Sequence, residues 1–161
     1  MQIDTPLIHL ENSENNISMK LGIVDYQFPE QIGSYWDNNW LNIRVTVKQN
    51  SKLFDKVDAT LVTKDLTRIY AWFEALANSN LPDYAVLDFI EPCLGFSFLA
   101  KTATEVRISV NLSHECKPKF RLNQFKIQSN RWNIFFGLSE SDFENILKNL
   151  RKAIQSYPVR N

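Results

Sequence analysis

Three segments of this chain alternate apolar and polar residues with a period of two, and that pattern leaves few folds open. Ile17, Met19, Leu21 and Ile23 alternate with Ser18, Lys20 and Gly22. Leu41, Ile43, Val45 and Val47 alternate with Asn42, Arg44, Thr46 and Lys48, and Val106, Ile108, Val110 and Leu112 alternate with Arg107, Ser109, Asn111 and Ser113. Successive side chains of a strand point to opposite faces, so each segment reads as a strand with one dry and one wet face. That is the antiparallel pattern, because parallel strands are covered on both faces and read as continuous apolar runs. Shorter strand-like stretches lie at 6–10, 57–62, 84–90, 94–100, 119–127 and 131–138, joined by short links rich in Asn, Ser, Lys or Pro.

Two segments change to helical period. Leu66, Ile69, Trp72, Phe73 and Leu76 make an apolar stripe over 64–78, with Thr63 as the expected N-cap and Asp65 in the first turn. Phe143, Ile146, Leu147, Leu150, Ala153 and Ile154 repeat the stripe over 140–156, where Ser139 and Asp142 stand at capping-box spacing and Pro158 stops the helix. The order is strands, helix, strands, helix. It predicts an α+β fold: a curled antiparallel sheet of about eight to nine strands with two helices laid on its dry face. Two stripes are too few to cover every strand, so the sheet is expected to curl over itself at one end. With 161 residues and no linker or repeat, the chain is expected to form a single domain over 1–161.

Eighteen basic and eighteen acidic residues cancel, so no global field draws the chain to nucleic acid or anionic lipid. The charge is unevenly spread. Residues 1–40 carry Asp4, Glu11, Glu14, Asp25, Glu30 and Asp37 against the single base Lys20, whereas 116–139 carries Lys117, Lys119, Arg121, Lys126 and Arg131 with no acid. Cys93 and Cys116, in strand-like contexts, are too few for a disulfide framework, and the sequence leaves open whether they meet. The start, Met-Gln-Ile-Asp-Thr-Pro, has no basic or apolar run of a secretory signal, and no stretch approaches the roughly 18 apolar residues of a membrane span. A reduced, cytoplasmic protein that does not enter membranes is the expectation.

Catalytic signatures are missing. His9 and His114 have no partner at metal-ligand spacing, and there is no Gly-x-Ser-x-Gly elbow, phosphate loop or dinucleotide fingerprint. The expectation is no enzymatic activity, no catalytic residues, no metal and no cofactor. The window 116–139 mixes its five bases with Phe120, Phe125 and Trp132, as an RNA-binding sheet does. Phe120 and Leu122 nevertheless alternate as core residues of a strand, which leaves Lys119 and Arg121 on its solvated face, so no nucleic-acid partner is expected. Pro92 removes a ladder donor and places Glu91 near a strand start, an edge or a bulge. In Trp36-Asp37-Asn38-Asn39-Trp40, Asp and Asn favour a turn, and Trp40 falls on the face of Asn42 and Arg44, opposite Leu41 and Ile43. Trp36 and Asp37, outside the strand, stay available to a partner.

Four segments, in order, resemble the WapI-type immunity protein family. They are Trp36-Asp37-Asn38-Asn39-Trp40-Leu41, Ala59 to Leu66 through Leu61-Val62-Thr63, Glu91-Pro92-Cys93-Leu94-Gly95-Phe96, and Leu138-Ser139-Glu140-Ser141-Asp142-Phe143 running to Tyr157-Pro158-Val159-Arg160. The family pattern is D-x-N-W-L, L-x-T, E-P-x-L-x-F and L-S-x-x-D-L ending in Y-P-x-R. Asp37, Asn39, Trp40 and Leu41 match the first piece, and Glu91, Pro92, Leu94 and Phe96 the third. Phe143 stands where Leu is usual, and Lys52-Leu53-Phe54 replaces an apolar-Trp segment. The resemblance spans roughly 20–160. It implies a small cytoplasmic antitoxin that binds and occludes a toxin domain, which in the founding case is a tRNA-directed nuclease. The acid-rich segment 25–37 best opposes a basic nuclease groove, and the expected partner-binding residues are Asp25, Glu30, Trp36, Asp37 and Glu91. A structural or scaffolding domain is the alternative, followed by a nucleic-acid or small-ligand module built on 116–139.

Overall fold

Each long alternating segment forms a strand. The computed structural model describes residues 3–124 and 132–161. It contains β1 (Thr5–Asn12), β2 (Ile17–Tyr26), α1 (Tyr35–Asn39), β3 (Trp40–Gln49), β4 (Lys52–Val62) and α2 (Thr63–Ala77). The second half continues with β5 (Val86–Asp88), β6 (Leu94–Lys101), β7 (Val106–Leu112), β8 (Trp132–Leu138) and α3 (Glu140–Ser156). All described strand pairs are antiparallel, so the α+β class and the strand count stand as the alternation predicts. The strands are divided into two four-stranded sheets, ordered β1-β2-β3-β4 and β5-β6-β7-β8, where the sequence suggested one curled sheet. The division falls where α2 leaves β4 and the chain starts a new meander.

Register follows the apolar pattern. Met19, Leu21 and Ile23 stand opposite Val47, Val45 and Ile43, and Val110 stands between Phe96 and Ile134. These residues are buried, which pins the pairing because a one-residue slip would turn every one of them to solvent. A shift in register between Pro6 and Ile8 lets the consecutive Leu7 and Ile8 both be buried.

The stripes of both long helices face the core. On α2, Leu66, Ile69, Trp72, Phe73 and Leu76 are buried, and Phe73 meets Phe96 of β6 edge-on at 5.5 Å. α3 packs against α2 and β1, with Phe143 facing Phe73 at 6.5 Å. Ser139 and Asp142 form the expected capping box, with Ser139 N donating to Asp142 Oδ2 at 2.8 Å. α2 starts differently. Val62 occupies the N-cap position, and its N–H is taken by Asp65 Oδ2 at 2.9 Å, while the Thr63 hydroxyl donates to Asn39 Oδ1 at 2.7 Å.

The strand expected over 119–127 does not form over 119–124, and 125–127 lie outside the described residues. Side-chain amides take the place of a ladder there. Gln49 accepts from Asn123 N at 2.9 Å and donates to Asn123 O at 2.8 Å, while Gln124 bonds Asn133 O and Phe135 N of β8. The two sheets also join directly, through Asn12 Nδ2 to Phe135 O at 2.8 Å. No helix among the described residues is long and apolar enough to cross a membrane.

Candidate functional site

The stretch 25–39 folds back on itself, with Gln27 N donating to Trp40 O at 2.8 Å. Residues 35–39 form a single helical turn rather than the bare turn their Asp and Asn content suggests. Ser34 caps it by accepting from Asp37 N at 3.1 Å and donating to Asp37 Oδ2 at 2.8 Å. Asp37 is exposed but part of its carboxylate serves this cap. Trp36 remains 52% exposed and Ile32 58% exposed, and Glu30 lies in solvent beside them in sequence. Asp25 is half-buried, and its Oδ1 accepts from Tyr26 N at 2.7 Å. Trp40 is half-buried at the start of β3.

Asn38 and Asn39 point inward. Asn39, 1% exposed, donates to Tyr35 O at 2.6 Å and Arg160 O at 2.7 Å, and accepts from Arg160 N at 2.8 Å and Thr63 Oγ1 at 2.7 Å. Asn38 accepts from Ile32 N and reaches Asn161 O. The tail after α3 is thereby clamped to α1. Tyr26 Oη donates to Pro158 O at 2.8 Å, and the Arg160 guanidinium lies 3.4 Å from the Tyr26 ring centre while donating to Phe28 O. Burial raises the Tyr26 phenol above its ordinary value, against the opposing effect of Arg160.

A second cluster gathers at one end of β6 and β7. Pro92 lies in the turn before β6, at the strand start that its missing N–H favours. Ser113 ties that turn to the chain after β7 by donating N–H to Cys93 O at 2.9 Å and Oγ to Pro92 O at 2.7 Å. Cys116 lies in the 3-10 turn His114–Cys116 rather than in a strand, and both cysteines are free and fully buried. Hydrogen bonding between the two thiols lowers the Cys93 thiol below its ordinary value and raises that of Cys116, whose burial adds to the rise. Glu91, half-buried, stands here with Cys93 and exposed Glu115, their ligand atoms all within 4.8 Å of one another.

A family model described as the immunity protein WapI-like family matches residues 9–158. The chain belongs to that family. No curated protein and no solved structure matches it. In this member of the WapI-like family, the first and last motif pieces meet physically: Asn39 of D-x-N-W binds both backbone groups of Arg160 in Y-P-x-R. Those motif residues therefore build the fold's closure, and membership gives the chain an immunity role without locating its binding face.

Of the five expected partner residues, Asp25, Glu30, Trp36 and Asp37 share the segment that ends in α1, and Glu91 groups with Cys93 and Glu115 instead. A further feature escaped sequence reasoning. A cleft of about 600 Å³ is lined by Glu11, Glu14 and Glu105 against one base, Arg107, with Leu99 and Phe135 as apolar wall. Its residues come from β1, the turn Ser13–Asn15, and β6 to β8, so no local pattern announces it. Phe120 and Leu122, the aromatic and apolar members of the basic window, pack against the core.

Proposed function

We propose that the chain is an antitoxin that binds a cognate bacterial toxin domain and occludes its working surface, and that the toxin is a nuclease. Family membership over residues 9–158 carries this reading. An immunity protein acts by occupying another protein, so the activity is non-enzymatic binding in the cytoplasm, with steric blockage as the effect. Electrostatics then sets rate and selectivity. A nuclease presents a basic groove to its substrate, and an acidic face with an exposed aromatic anchor complements it. Trp36 and Glu30, both exposed, are the central residues of that face, with Asp25 and Asp37 adding charge from the same segment.

The test is co-purification with the toxin domain encoded beside this chain's gene, followed by affinity and nuclease measurements on the complex. The expected result is a stable complex without nuclease activity, and the absence of any complex removes the antitoxin reading. Trp36→Ala with Glu30→Lys should weaken binding by roughly 30-fold or more, as loss of an interface anchor does. Unchanged affinity after Asp25, Glu30 and Asp37 are all changed to Lys removes this face. Glu11→Lys with Glu14→Lys then tests the acid-lined cleft, a concave surface also suited to a basic partner.

A further inference from the structure

We propose that Glu91, Cys93 and Glu115 form a zinc site. Two loops build it. The turn before β6 and the 3-10 turn after β7 emerge side by side because Leu94 pairs with Leu112, and Ser113 locks them together through its bonds to Pro92 O and Cys93 O. The sulfur of Cys93 and the carboxylates of Glu91 and Glu115 lie within 4.8 Å of one another. Zinc bonds of roughly 2.0–2.3 Å bring tetrahedral ligands to about 3.3–3.8 Å apart. The contraction required is about 1 Å, and it falls on glutamate side chains outside the core.

Burial grades across the cluster in the sense a metal needs. Cys93 is the fully buried floor, Glu91 is half-buried and Glu115 is exposed, so the site has a dry base, an entry path and an open fourth position. One thiolate with two carboxylates is a mixed soft and hard set. It suits zinc better than magnesium or calcium, which take oxygen alone, or copper(I), which takes sulfur. Cys93 Sγ donates to Thr60 Oγ1 at 3.9 Å, a polar neighbour behind the sulfur that orients it.

The experiment uses the reduced full chain, stripped with a chelator and titrated with Zn²⁺ against a chromophoric competitor. Co²⁺ serves in parallel as the spectroscopic probe. The expected result is one Zn²⁺ per chain and a thiolate-to-Co²⁺ charge-transfer band that Cys93→Ser abolishes and Cys116→Ser retains. Glu91→Gln with Glu115→Gln should weaken Zn²⁺ binding by roughly 100-fold or more. Neither glutamate is in the core, so this variant should keep the circular dichroism and Tm of the wild type and decides the matter even if Cys93→Ser fails to fold. Three results overturn the proposal: no stoichiometric binding by the reduced chain, undiminished affinity in the double Gln variant, or loss of the band in a folded Cys116→Ser, which would indicate a dithiol site instead.

Discussion

Asn39 carries more of this fold than its place in a polar turn suggests. Its buried amide makes four hydrogen bonds, two of them to a residue 121 positions away. Replacing it with Ala leaves the Thr63 hydroxyl and the Arg160 and Tyr35 backbone groups short of partners, and a buried unsatisfied polar group costs about 1–3 kcal/mol. Asn39→Ala should therefore lower stability by about 2–4 kcal/mol, read from a lowered urea midpoint at unchanged slope. A loss under about 0.5 kcal/mol would show that the tail finds other partners. Turn chemistry made Asp37, Asn38 and Asn39 legible as a chain reversal, because Asx side chains favour turns wherever they stand. It does not encode environment. The same three residues divide into an exposed cap and two buried clamps only because the C-terminal tail arrives on one side of α1.

At the scale of elements, periodicity located both long helices and most strands, and its failures mark places where side chains substitute for backbone. Residues 119–124 alternate like a strand, yet Gln49 and Gln124 satisfy this segment and the β8 edge, so no ladder forms. The start of α2 is a similar case. Thr63 has the composition of an N-cap, but Asn39 takes its hydroxyl and Asp65 bonds the Val62 N–H instead. Burial raises the Asp65 carboxyl above 3.8, overriding the lowering by the Val62 N–H and by Arg68. A carboxyl whose pKa is higher in the fold than in the unfolded chain binds its proton more tightly when folded. Its charged form thus weighs against the fold at neutral pH, and that penalty is relieved as pH falls through the folded-state pKa toward about 4. Asp65→Asn keeps an acceptor for Val62 and removes the charge. The variant should compare more favourably with the wild type at pH 7 than at pH 4, measured by urea unfolding at both. An identical difference at the two values would mean that desolvation does not dominate this site.

For the whole molecule, the sequence predicts one sheet and one domain, and the structure divides the strands between two sheets. The division was illegible because alternation tells which face of a strand is dry, not which strand sits beside it. We propose that the sheets nevertheless form one cooperative unit, since buried residues of both belong to a single core that α2 and α3 share. Phe73 is the residue to test. It is fully buried on α2, and it touches Phe96 in the second sheet and Phe143 on α3, which in turn packs on β1 of the first. Phe73→Ala removes a large side chain from that junction and should lower stability by about 3–5 kcal/mol. If one core joins the sheets, far-ultraviolet circular dichroism and tryptophan fluorescence must report a single shared urea midpoint before and after the substitution. Separate midpoints would mean that each sheet closes its own core. The single-domain reading would then fail.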